Sequence, residues 1–168
     1  MRILAISGSL QSSSANLALL RAVAAWAPVG VEVDLCDGLR QLPHFNPELE
    51  AHGPCPSVQQ WRQALSYHDA LLIASPEYGF SLPGVLKNGI DWVIGTGELE
   101  RKIIAITASV NHPDRGRRGL QALCNTLSAV SAQIVGGNPI VRGATFETEG
   151  KALLDALVAA VRGNTATE

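Results

Sequence analysis

Short apolar runs alternate with helical patterns along the whole chain. Arg2–Ser7 (RILAIS), Val31–Cys36, Ala70–Ala74 (ALLIA) and Lys102–Thr107 (KIIAIT) read as strands, each short, rich in aliphatic residues and followed by turn residues. ALLIA is apolar throughout, which fits a central parallel strand buried on both faces. A fifth, weaker strand is expected within Gln133–Val141, interrupted by Gly136-Gly137-Asn138-Pro139. Between the strands, periodicity and end signals predict helices over about Ser14–Ala27, Ser57–Tyr67, Pro83–Ile94, Arg117–Ser131 and Thr148–Arg162, with Gly163–Glu168 as a frayed tail. The connection Asp37–Pro56 carries several prolines and reads as one long loop, a kind of segment that is often functional. Strict alternation of strand and helix predicts a single domain over 1–168, an α/β fold with a doubly wound five-stranded parallel sheet and right-handed crossovers. Ligands of such sheets bind beyond the carboxyl ends of the strands. The loops Gly8–Ser14, Ser75–Leu82 and Ala108–Gly116 are therefore expected to converge on one site.

Composition narrows the function classes. With 168 residues, 46% of them hydrophobic, 17% charged and a net charge of -2, the chain can bury a core and is not a disordered segment. It lacks the basic excess of a nucleic-acid binder, so no nucleic-acid partner is expected. Cys36, Cys55 and Cys124 form no CxxC pair and are odd in number, which reads as free thiols in a reducing cytoplasm. The first apolar run is too short for a signal peptide, and no stretch reaches the ~20 apolar residues of a membrane helix. A cytoplasmic protein without membrane contact is the expectation. His44, His52, His68 and His112 show no metal-ligand spacing, so no metal is expected.

Two loops carry candidate chemistry. Ser7-Gly8-Ser9-Leu10-Gln11-Ser12-Ser13-Ser14-Ala15-Asn16 joins a strand to a helix amino terminus, where free N–H groups and the helix dipole favour an anion. Neutral donors from Ser9, Ser12, Ser13, Ser14 and Asn16 suit a monophosphate. The segment lacks GxGxxG and the Walker pattern, and a serine-rich turn with an N-cap serine explains it equally well. Ser75-Pro76-Glu77-Tyr78-Gly79-Phe80-Ser81-Leu82-Pro83-Gly84 follows the most apolar strand. Its prolines stiffen it, Gly79 permits close backbone approach, and Tyr78 or Phe80 offers a flat face to a heterocycle. The competing reading is that both rings cover the core. Arg115, Arg117 and Arg118 either meet coenzyme phosphates or form a solvated helix start. No nucleophile–base arrangement is present, since the Gly8-Ser9 turn lacks GxSxG. No catalytic side chain is assigned.

Taken together, these segments resemble a known family. GSLQSSSAN is similar to the phosphate loop, typically GSxRxxSxN, of the NAD(P)H-dependent FMN reductases, relatives of chromate and quinone reductases. SPEYGFSLPGVLKNGIDW resembles that family's PEYNxSxPGxLKNAIDW signature, and Leu42–Glu48 resembles its LPxYNxD stretch. The resemblance implies a flavodoxin-like fold of strand order 2-1-3-4-5 with bound FMN. Ser9, Gln11, Ser14, Ala15 and Asn16 would surround the phosphate, Pro76, Glu77, Tyr78 and Gly79 would border the ring, and Ser109 would begin the third flavin loop. It further implies an enzyme that passes a hydride from NADPH or NADH through FMN to a small acceptor: free flavin, a quinone, an azo or nitro compound, or an oxidised metal ion. A homodimer or homotetramer is implied, with the Phe45 loop and the Trp92 helix as candidate contacts. Gln11 stands where the family usually has arginine, which removes a charge from the phosphate site and predicts weaker FMN retention. The third loop, Ser109–Gly119, lacks the family's several glycines. Two rival readings are an electron carrier of the flavodoxin type, against which the small net charge argues, and a flavin-free interaction module.

Overall fold

The computed structural model describes residues 1–165. Its elements are β1 (Arg2–Ser7), α1 (Ala15–Ala25), β2 (Glu32–Cys36), a 3₁₀ turn at Gly38–Gln41, α2 (Pro47–Ala51), α3 (Pro56–Tyr67), β3 (Ala70–Ala74), α4 (Gly84–Asp91), β4 (Ile103–Val110), α5 (Arg117–Ala129), β5 (Gln133–Val141) and α6 (Phe146–Thr165). The strands all pair in parallel, as the alternation predicts, in the order β2-β1-β3-β4-β5 that the family resemblance implies.

Side chains of successive strand residues point to opposite faces. Leu4, Ile6, Leu71, Ile73, Ile104 and Ile106 pack with residues of α3, α4 and α5. Ile3, Ala5, Leu72, Ile103 and Ala105 pack with α1 and α6. Each of these leucine and isoleucine side chains taken out of water contributes about 1.5–3 kcal/mol. All of β3 is buried, because helices cover the sheet on both sides.

Four expectations need correction. Asp37–Pro56 is not one open loop: it holds the 3₁₀ turn and α2, which begins on Asn46, whose side chain accepts the Glu48 N–H, followed by Pro47. β4 extends beyond Thr107 to Val110, because Ala108, Ser109 and Val110 pair with Pro139, Ile140 and Val141 of β5. β5 is accordingly continuous, with the glycine pair Gly136-Gly137 marking a register shift opposite Ile106 and Ala108 rather than an interruption. α6 runs to Thr165, carried by the buried stripe Leu154, Leu157, Val158 and Val161; of the expected tail, 163–165 are thus helical and 166–168 lie outside the described residues. No helix among the described residues is long and apolar enough to cross a membrane.

The Leu42–Asn46 segment is fastened to α4. Asn88 Nδ2 and Trp92 Nε1 both donate to the Pro43 carbonyl, at 2.9 and 2.8 Å, and Asn88 Oδ1 accepts the Phe45 N–H at 2.7 Å. The Phe45 and Trp92 rings meet edge to face at 5.1 Å. Trp92 is 1% exposed, so it is a core residue and not available as a subunit contact. A Cβ on Gly89 would lie 2.6 Å from Leu39 Cδ2, so any larger residue here requires the Leu39 side chain to shift. Asn88→Ala leaves the Phe45 N–H without its acceptor, at a cost of about 1–3 kcal/mol. Thermal denaturation should show a fall of roughly 2–4 °C per kcal/mol at this chain length.

The thiols differ in environment. Burial raises the pKa of Cys36, at the end of β2, whereas the Ser57 hydroxyl, 3.3 Å away, lowers that of exposed Cys55. A lowered pKa increases the thiolate fraction at neutral pH. Iodoacetamide near pH 7.5 is therefore expected to label Cys55 well before Cys36, as peptide mapping by mass spectrometry would read.

Candidate functional site

Because β1, β3 and β4 are adjacent and parallel, their carboxyl ends bring three connections together. The β1 and β3 ends cross closely: the Gly8 N–H donates to the Ala74 carbonyl at 2.9 Å, and a Cβ on Gly8 would sit 2.9 Å from Ser75 Oγ. Beyond Gly8 the chain folds through short polar bonds. Ser9 Oγ accepts the Gln11 N–H at 3.2 Å, the Gln11 carbonyl accepts the Ser14 N–H at 3.1 Å, and Ser14 Oγ caps α1 by accepting the Asn16 N–H at 3.2 Å. Ser12 and Ser13 are exposed, and their hydroxyls have no partner among the described residues. A ring of neutral donors thus stands at the positive end of α1.

The loop after β3 is a tight hairpin. Tyr78 and Ser81 exchange both backbone hydrogen bonds at 3.0 Å. The two residues between them are left-handed, Gly79 at φ 57° and Phe80 at φ 64°, the geometry of a type I′ turn. Glycine is present at 79 for this φ: no other atom lies within 4 Å of where its Cβ would be. Tyr78 and Phe80 are 56% and 67% exposed. They are exposed on the hairpin and do not cover the core. The guanidinium of Arg118 stacks on Phe80, 4.2 Å from its centroid.

Side chains tie the three connections. Asn16 Oδ1 accepts the Ser109 N–H at 2.8 Å, joining α1 to β4. Glu77 Oε2 accepts the Gly119 N–H at 2.9 Å. That bond caps α5, whose own N-cap is Gly116 with no side-chain oxygen to offer. Asn16, Pro76, Glu77 and Ser109 line one cleft of about 350 Å³, together with Arg115 and Arg142. Within it Ser109 Oγ is buried with no hydrogen-bond partner, a state that costs about 1–3 kcal/mol. Ser9 and Gln11 line a smaller recess of about 100 Å³ on the β2 side, with Cys36 and Arg40.

The sequence expectations are thus placed unequally. Asn16, Pro76, Glu77 and Ser109 come together. Ser14 is buried as a cap next to Ala15, Ser9 and Gln11 shape the turn, and Tyr78 and Gly79 belong to the exposed hairpin after β3 and line neither cleft. Ser109 lies on β4 and not after it. Arg142, Arg40 and Gly119 were missed. The signal for Arg142 was available, since it follows the strand beside β4 and must end at the same edge.

Residues 1–145 match the family described as NADPH-dependent FMN reductase. The chain belongs to that family. An NAD(P)H-dependent FMN reductase of Pseudomonas aeruginosa is 42% identical over 92 residues, 55% of this chain and 49% of that one. An NADPH:quinone oxidoreductase of Arabidopsis thaliana is 38% identical over 96 residues, 55% of this chain and 48% of that one. The chain therefore covers about half the length of these curated relatives. The flavoenzyme NAD(P)H:(acceptor) oxidoreductase FerB of Paracoccus denitrificans shares the fold, with a TM-score of 0.79 over 94% of this chain and 97% of that one at 24% identity. The fold is flavodoxin-like.

The Glu77–Gly119 contact can be broken sterically. A Cβ on Gly119 would lie 2.9 Å from Glu77 Cβ and 3.0 Å from its Cα. Gly119→Ala must push the 77–81 hairpin away from α5. The overpacking cost of about 1–3 kcal/mol opposes a helix-propensity gain of about 1 kcal/mol. Amide hydrogen exchange should accelerate at residues 78–81 and at 119.

Proposed function

We propose that the chain is an FMN-dependent oxidoreductase that takes a hydride from NADPH or NADH and passes two electrons to a small acceptor: free flavin, a quinone, an azo or nitro compound, or an oxidised metal ion. The observation that carries this reading is the cleft where Asn16, Glu77 and Ser109 meet beside the serine-capped polar loop of α1.

The residues fit the cofactor. A monophosphate needs hydrogen-bond donors, and the exposed Ser12 and Ser13, the Ser14 hydroxyl and the head of α1 supply them. With its Oδ1 held by Ser109, Asn16 has its NH₂ to offer a ligand. The orphaned Ser109 hydroxyl marks a place where a polar ligand atom and a small loop adjustment together would satisfy the chain. When bound, FMN supplies the ring that accepts and donates the hydride. The chain's own part is to hold and orient. Glu77 fixes the hairpin against α5, with Tyr78 exposed on it. No side chain is required as nucleophile. In the net reaction NAD(P)H loses a hydride, and a two-electron acceptor such as a quinone gains it with one further proton from solvent.

The described residues serve this role as one unit around one sheet, in a cytoplasmic setting. Exposed apolar groups, among them Tyr67, Phe80 and Ile94, support a homodimer or homotetramer.

Fluorescence titration with FMN tests the reading. Saturable quenching is expected, weakened in Ser14→Ala and Tyr78→Ala. Gln11→Arg restores a charge at the phosphate loop and should tighten FMN about tenfold while leaving riboflavin binding unchanged. No saturable quenching with the wild-type chain would overturn the proposal.

A further inference from the structure

We propose that Arg115 and Arg142 form an oxyanion subsite on the wall of the cleft, so that the substrate selected there carries a carboxylate, sulfonate or phosphate. The proposal rests on the flavin reading given above and goes beyond it in naming a substrate chemistry.

Both side chains line the cleft with Asn16 and Ser109. Neither guanidinium has a hydrogen bond or ion pair among the described residues, whereas Arg40, Arg62 and Arg117 each donate to a carbonyl or carboxylate of the chain. Arg115 directly precedes the N-cap of α5, and the first turn of that helix holds Arg117 and Arg118 and no acidic residue. Cations at the positive end of a helix dipole are unfavourable. Arg142 is brought to the same wall by its backbone, whose N–H donates to the Val110 carbonyl at 2.8 Å.

Neither acid nearby forms an ion pair with either arginine among the described residues. The Glu77 carboxylate, which lines the same cleft, accepts the Gly119 N–H. Asp114 is 82% exposed and lies 3.4 Å from His112 Nδ1. What remains is two planar donor groups lining one concave surface with no ion-pair partner among the described residues. Guanidinium groups pair with oxyanions through parallel charge-assisted bonds. A positive wall also raises the local concentration of anions.

The test uses the FMN-loaded protein and anthraquinone-2-sulfonate, titrated by calorimetry without NAD(P)H. The double variant Arg115→Gln, Arg142→Gln should bind it about tenfold or more weakly, and the wild-type affinity should fall with added salt. Arg21→Gln, on the exposed side of α1, should bind as wild type does. A second arm compares KM for NADPH and NADH in the same proteins. A loss confined to the sulfonate places the oxyanion on the acceptor. A loss confined to NADPH places it on the coenzyme's ribose phosphate. Equal binding and equal KM values in wild type and double variant would overturn the subsite. If the wild-type protein fails to take up FMN, the flavin reading itself falls. Retained FMN with sulfonate binding and both KM values unchanged in the double variant removes this inference alone.

Discussion

The structure depends on one constraint, the complete burial of five apolar residues, Ala70–Ala74, in the middle of the sheet. A parallel strand with no solvent face needs helices on both sides. It also needs neighbours on both edges, here β1 and β4. Both conditions are met only if each strand is followed by a crossover, which returns the chain in the same direction every time. All carboxyl ends then lie at one edge. The convergence of the loops after β1, β3 and β4 is a consequence of that burial, not a separate achievement of the loops.

Two hydrogen bonds turn proximity into a shaped site. Asn16 Oδ1 holds Ser109, and Glu77 holds Gly119. The second is a helix cap delivered from a distant part of the chain. It places one negative group at a helix start otherwise crowded with arginines, so the hairpin and α5 stabilise each other electrostatically as well as sterically. Gly8 and Gly119 are glycines for a reason unrelated to turns: neighbouring atoms occupy the space a side chain would need.

The layers were legible in the sequence because aliphatic runs and helix ends are local signals, whereas the strand order came only with the family resemblance. RILAIS and ALLIA occupy strands with the boundaries they suggest. The extension of β4 through Ser109 was not legible, because it is set by pairing with Ile140 on another strand. α2 went unread although its Asn46-Pro47 start is a local signal. At the site, the sequence pointed to Asn16, Glu77 and Ser109 by position. It could not say that the amide oxygen of Asn16 and the carboxylate of Glu77 would be spent on holding neighbouring backbone. Such roles depend on which N–H groups the fold leaves unpaired.

Phe80 carries a further consequence. Its backbone is left-handed at φ 64°, a conformation that costs a residue with a side chain roughly 1–2 kcal/mol. Glycine would remove that cost and asparagine would reduce it. The ring also stands largely in water, so the core gains little from it. Heat resistance and possession of this ring therefore pull the codon in opposite directions. A population selected only for survival at high temperature would drift toward glycine or asparagine at position 80. Lineages that retain an aromatic there disclose that its stacking with Arg118, or a role outside the folding equilibrium, outweighs that cost.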